Sequence, residues 1–298
     1  MRRLLSSYAS DSGDSDWYRL AADTQRIIKE NLMQVLLKES EPSCRKIHCE
    51  LVGELAATIK TMTGDTKKDC QPEGREWDAI NNNIWNFLNS SEVALISSGF
   101  KILGILLRYC SFEYVQHAEQ LVPILTQALE HNELRIKSVA IETLSEYVEN
   151  ADFKYCKPFI QLVPLVLQNI LVILDKNEDL GVEVMAHLTD MIEIEAKIFK
   201  QHFTQVFETL KNIAMNEEIT TNAIRENALE TIVILIEKFP KLSSKQQGIA
   251  KAIYQAVFSY MVTIIPDVEN DWLRPPEGIF FFLSSHLTNK RIFTIKRR

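Results

Sequence analysis

Two segments, IKSVAIETLSEYVE at 136–149 and IRENALETIVILIE at 224–237, decide the fold. Each opens on an apolar residue and a basic one, skips two positions to an alanine, and then repeats apolar residues at helical spacing. Lys137, Gly181 and Arg225 follow one another at 44-residue steps. Under that register Leu144, Leu188 and Ile232 share a column, as do Tyr147, Met191 and Leu235, and Val148, Ile192 and Ile236. A shift of 92 residues toward the N-terminus brings Val52, Leu55 and Ala56 onto the same columns.

A period near 44 falls in the range of HEAT and armadillo units, and the apolar–basic–x–x–alanine opening favours HEAT. The chain is therefore expected to be all-α, a solenoid of antiparallel helix pairs wound into a right-handed superhelix. Apolar periodicity predicts helices at 17–38, 42–62, 76–88, 92–110, 113–131, 133–149, 153–175, 178–194, 196–215, 220–238 and 243–265. Pro123 and Pro164 fall within first helices of their pairs, where a missing N–H should bend them. Residues 63–76, TGDTKKDCQPEGRE, read as an exposed loop, and residues 7–16 as a similar link.

Composition agrees: only 9 Gly and 9 Pro in 298 residues leave few tight turns for a many-stranded sheet. The formal net charge of −7 disfavours direct binding of nucleic acid and favours cationic partners. Five scattered cysteines without a CxxC pair read as reduced thiols. The opening MRRLLSSYASDSGDS lacks the apolar run of a signal peptide. No apolar stretch is expected to insert in a membrane, because 162–174 is interrupted by Pro164, Gln168 and Asn169.

Chemistry of the enzymatic kind has no foothold. The phosphate-cradling, nucleophile-elbow and HExxH patterns are all absent, so no catalytic, cofactor or metal residue is assigned. Cys44, His48 and Cys49 share a helical neighbourhood but lack a fourth ligand. The informative constellation is acidic. Glu149, Glu193 and Glu237 coincide in the register, Glu146 meets Asp190, Glu142 meets Glu230, and the 92-residue shift adds Glu50 and Glu54. Stacking should line these carboxylates into ladders along one face, where like charges four residues apart repel unless a cationic partner neutralises them. Lys101 and Ile105 interrupt the ladder in one unit.

An ordered set of segments carries a resemblance: MRRLLSS, PSCRKIHCELVGELAATI with PEGREWDAI, SSEVALISSGFKILGILL, LVPILTQALEH through IKSVAIETLSEYVE, LVPLVLQNIL, and IRENALETIVILIEKFPKL. Together they resemble the importin-beta superfamily, most closely its importin-5 (importin beta-3) subfamily. The resemblance implies a shuttling nuclear import receptor of cytoplasm, nucleus and nuclear pore. It implies basic cargo proteins or import signals on the concave face of second helices, Phe-Gly nucleoporins between first helices on the convex face, and release by the GTPase Ran. Against the family pattern the chain looks shortened at both ends, from which impaired Ran-driven release is expected. Residues 1–272 read as the array, about five to six helix pairs, and 273–298 as a divergent tail. A HEAT scaffold for a non-transport complex is the alternative.

Overall fold

The computed structural model describes residues 16–62, 67, 70–216, 221–245 and 248–264. Its longer helices are α1 (Ala22–Lys38), α2 (Pro42–Thr61), α3 (Asp78–Leu88), α4 (Val93–Tyr114), α5 (Ala118–Glu130) and α6 (Leu134–Asn150). They continue as α7 (Val163–Lys176), α8 (Glu178–Glu195), α9 (Phe203–Met215), α10 (Asn222–Lys238) and α11 (Ile249–Ile264). No strand occurs among the described residues. The readings of residues 1–15, of the tail at 273–298 and of the end of the array near 272 lie outside them.

Successive helices pair as α1/α2, α3/α4, α5/α6, α7/α8 and α9/α10, with α11 against α9 and α10. The second helices pack on one another in chain order, α2 on α4, α4 on α6, α6 on α8 and α8 on α10. This is the stack that the 44-residue register requires, since each column must meet the same packing environment in every unit. Leu144, Leu188 and Ile232 are buried, as are Tyr147, Met191 and Leu235, and Val52, Leu55 and Ala56. The chain is thus an all-α HEAT-type solenoid.

The basic residue at the head of α2, α6 and α10 has a definite task. The last carbonyls of a helix lack intrahelical donors, and a cation near them also complements the helix dipole. Arg225 Nε donates to the carbonyl of Ala214 at 2.9 Å, in the last turn of α9. Lys137 donates to the carbonyl of Leu129 in α5 and to Asn169 of α7, in the next pair. Arg45, in the same column 92 residues before Lys137, donates to the carbonyls of Leu36 and Glu39 at the end of α1. Gly181 holds that column in α8 because a Cβ there would lie 2.8 Å from Leu174 Cδ2.

Three local readings need correction. Pro164 sits at the second position of α7, after a 3-10 turn over Lys157–Leu162, and starts that helix where a bend was expected. Pro123 does lie inside α5. Within the supposed loop at 63–76, Cys70 and Gly74 are buried and Pro72–Arg75 forms a helical turn; the carbonyl of Gly74 accepts a 2.9 Å hydrogen bond from the fully buried Trp17. Residues 63–66, 68 and 69 lie outside the described part. Finally, Val93–Glu130 and Phe153–Lys176 are long and apolar enough to cross a membrane by length and composition, which Pro164, Gln168 and Asn169 do not prevent. Here they are core helices. The first is broken at Cys110, where the backbone leaves helical geometry, and again at Val115–His117. In the second, Asn169 is buried as the acceptor for Lys137.

Candidate functional site

On the exposed side of the second helices, each seam has its own polar contacts. Between α2 and α4, Lys60 pairs with Glu113 and lies 5.6 Å from the centre of the Tyr114 ring. Between α4 and α6, Lys101 Nζ meets Glu142 Oε2 at 3.1 Å, and Arg108 binds both carboxylate oxygens of Glu146. Glu146 is buried, and its hydrogen bond raises the already high pKa of the Arg108 guanidinium further. Between α8 and α10, Thr189 Oγ1 bonds Asn227 Oδ1 at 2.8 Å and Thr231 Oγ1 at 2.6 Å.

The seam between α6 and α8 differs, because carboxylates meet there without a lysine or arginine among the described residues. Ser145 Oγ lies 2.9 Å from Glu149 Oε1 and 3.3 Å from the carbonyl of His187. Burial pushes the Glu149 carboxyl above its ordinary range, and the charges of Glu146 and Asp190 push the same way. Ser145 and His187 oppose the shift. Burial likewise raises Asp190, aided by Glu193 and Glu146 and opposed by His187. Both groups therefore hold their negative charge against an unfavourable setting.

Of the expected ladder, the structure brings Glu146, Glu149, Asp190 and Glu193 into one electrostatic neighbourhood. Glu50 and Glu54 lie half-buried on α2, and Glu142 is countered by Lys101. Glu230 and Glu237 stand exposed on α10 and form no ion pair among the described residues. The ladder as read from one helix at a time lacked lysines, whereas the cations come from the neighbouring unit. Lys101 is the counter-ion of Glu142 and no mere interruption. Arg108, seven residues further along α4, was missed; two turns of helix put it on the same face as Lys101, and that spacing was the available signal.

A raised carboxyl pKa makes the folded state bind protons more readily than the unfolded chain. Its contribution to stability is greatest below the ordinary value and is lost as pH rises through the raised one. Converting Glu149 to Gln and Asp190 to Asn should therefore stabilise the fold near neutral pH, by less than about 1 kcal/mol given solvent screening. The gain should shrink toward zero near pH 2.5, where both wild-type carboxyls are almost fully protonated in either state; thermal melts at about pH 7 and about pH 2.5 check this. An equal gain at both pH values would show that the carboxylates are not strained.

Most of the thiols are buried. Cys49, Cys110 and Cys156 are buried, and burial raises all three, Cys110 and Cys156 to about 12. Cys44 is exposed where Cys49 is buried, and His48 Nδ1 lies 3.9 Å from Glu39. Among the described residues no group of three or more His, Cys, Asp or Glu side chains is arranged to hold a metal ion. On the opposite side of the array, α7 and α9 border a groove of about 510 Å³ whose lining includes Pro164, Leu165 and the exposed Leu171.

A family model described as IPO5-like, TPR repeats matches residues 40–209. Importin subunit beta-3 of Saccharomyces cerevisiae is 21% identical over 229 residues, covering 74% of this chain. The chain spans only 20% of that relative's length. Solved structures of Kap121p share the fold. The complex with Nup53p superposes over 93% of this chain and 27% of Kap121p, with a TM-score of 0.66 at 15% identity. The complex with RanGTP does so over 93% of this chain and 26% of Kap121p, with a TM-score of 0.56 at 15% identity.

Proposed function

This chain belongs to the importin-5-like (importin beta-3) family of the importin-beta superfamily, and on that footing we propose that it serves nuclear import by binding basic segments of cargo proteins. The observation that carries the reading is the seam between α6 and α8. The α2–α4 and α4–α6 seams carry ion pairs and the α8–α10 seam hydroxyl bonds, whereas at α6–α8, beside the Ser145 hydroxyl, Glu149, Asp190 and Glu193 adjoin without a counter-ion from lysine or arginine among the described residues. A lysine or arginine of a partner would offset the repulsion and favour the ionised form of Glu149 and Asp190.

The remaining parts of the reading follow the relatives. Kap121p has been solved with Nup53p and with RanGTP, and we assign nucleoporin and Ran partners to this protein by analogy. The groove between α7 and α9 offers Leu165 and Leu171 to a Phe-Gly side chain. The protein would shuttle between cytoplasm and nucleus, with residues 1–272 as the array and 273–298 as a separate segment.

A lysine-rich peptide titrated against the protein tests the proposal. Joint replacement of Glu149 by Gln, Asp190 by Asn and Glu193 by Gln should weaken binding about ten-fold at low salt, and much less at high salt where exposed charges are screened. Wild-type binding that is indifferent to salt, or unchanged in the triple variant, would remove the acidic seam from cargo recognition.

A further inference from the structure

The same face carries a second, oppositely charged feature nearer the starts of its helices. There α2, α4, α6 and α8 border a groove of about 420 Å³. Its lining holds four cations, Arg45, Lys46, Lys101 and Arg135, against two carboxylates, Glu142 and Glu183, with several serine hydroxyls between them. Arg45 is tied to the end of α1 and Lys101 to Glu142. Lys46 and Arg135 are exposed and form no ion pair among the described residues. The face is therefore bipolar: cations at one end of the helices, and the carboxylates of the α6–α8 seam toward the other.

We propose that this groove binds an acidic peptide segment of the partner whose basic segment engages Glu149, Asp190 and Glu193. This deepens the proposed function and rests on it for the basic half. Lys46 lies on α2 and Arg135 on α6, with α4 between them. Two interhelical spacings separate their helices by about 16–20 Å, too far for one small anion to bridge and suited to a chain bearing several carboxylates. The N-cap residues Glu41, Glu92 and Glu133 come one or two positions before lining residues without lining the groove themselves. Spacing is fixed too. From Arg135 to Glu149 along α6 is about 21 Å at 1.5 Å per residue, which an extended peptide covers in about six residues.

Three peptides test the proposal by fluorescence anisotropy with the full chain: one basic, one acidic, and one joining the two through a six-residue spacer. The joined peptide should bind about ten-fold more tightly than the basic one, and replacing Lys46 and Arg135 by Gln should abolish that gain while sparing the basic peptide. Glu183→Gln should tighten the acidic peptide about two-fold, a gain that misfolding would not produce. Equal affinity of the joined and basic peptides, or no binding of the acidic one, overturns the assignment. So does competition by millimolar inorganic phosphate as effective as that of the acidic peptide, which would mark a small-anion site. If the acidic peptide binds and the basic one does not, the groove stands and the reading of the acidic seam fails.

Discussion

Tyr147→Ala is expected to destabilise the protein by about 4 kcal/mol, the scale of emptying a large aromatic site in a packed core. Tyr147 is 1% exposed. Its ring stands edge-on to Phe159 with centroids 4.7 Å apart, and its hydroxyl donates to the carbonyl of Val115. One side chain of α6 thus holds the turn that links α4 to α5 and the turn that precedes α7. Such a residue matters doubly in a solenoid, whose stability is a sum of unit terms and nearest-neighbour terms. Loss of the ring should weaken the contact between adjacent pairs as well as the pair itself, and urea unfolding should broaden or split into two phases. Tyr147→Phe separates the contributions: it keeps the ring and leaves the Val115 carbonyl without its donor, for about 1–2 kcal/mol. A cost below about 1 kcal/mol for Tyr147→Ala would show that the site collapses around the gap and that the pairs are not coupled there.

The columns around Tyr147 were legible because a repeat must solve one packing problem many times. The alignment of Leu144, Leu188 and Ile232 anticipates residues that are all buried, whereas the capping of first-helix ends by Arg45, Lys137 and Arg225 is visible only in the structure. Periodicity also placed most helix ends within a few residues, but not the continuation of α4 to Tyr114, because the break at Cys110 disturbs the apolar spacing without ending the helix. The acidic face was less legible. A register says which side chains share a column; it does not say how far a neighbouring unit is shifted along the helix axis. Lys101 precedes Glu142 by 41 residues and Arg108 precedes Glu146 by 38, neither of them 44, and those two offsets seat the cations opposite the carboxylates. Charge at the face is thus set by pairs of helices, and a column-by-column reading counted carboxylates that the fold had already countered. Glu149 and Asp190 escape because their seam joins two acidic helices.

Arg108→Ala tests that division of labour, since it should lower stability and strengthen ligand binding together. The Glu146 side chain is only 10% exposed and Arg108 is its ion-pair partner. Removing one member of a buried pair leaves the other desolvated and uncompensated, a loss of about 3–5 kcal/mol in a fully buried setting. Arg108 is 52% exposed, so water can reach the carboxylate once the guanidinium is gone, and about 2 kcal/mol is the expected cost. At the same time the freed charge of Glu146 adds to Glu149 and Asp190, which already feel it. A lysine-rich peptide should then bind several-fold more tightly at low salt, the opposite of what general damage would do. Adding Glu146→Gln to Arg108→Ala should recover most of the stability and cancel the gain in affinity, because the uncompensated charge is what produces both effects. If stability and affinity fell together in Arg108→Ala, or if Glu146→Gln rescued neither, Glu146 would be a structural carboxylate with no bearing on the neighbouring seam. Recognition would then have to be sought elsewhere on the face.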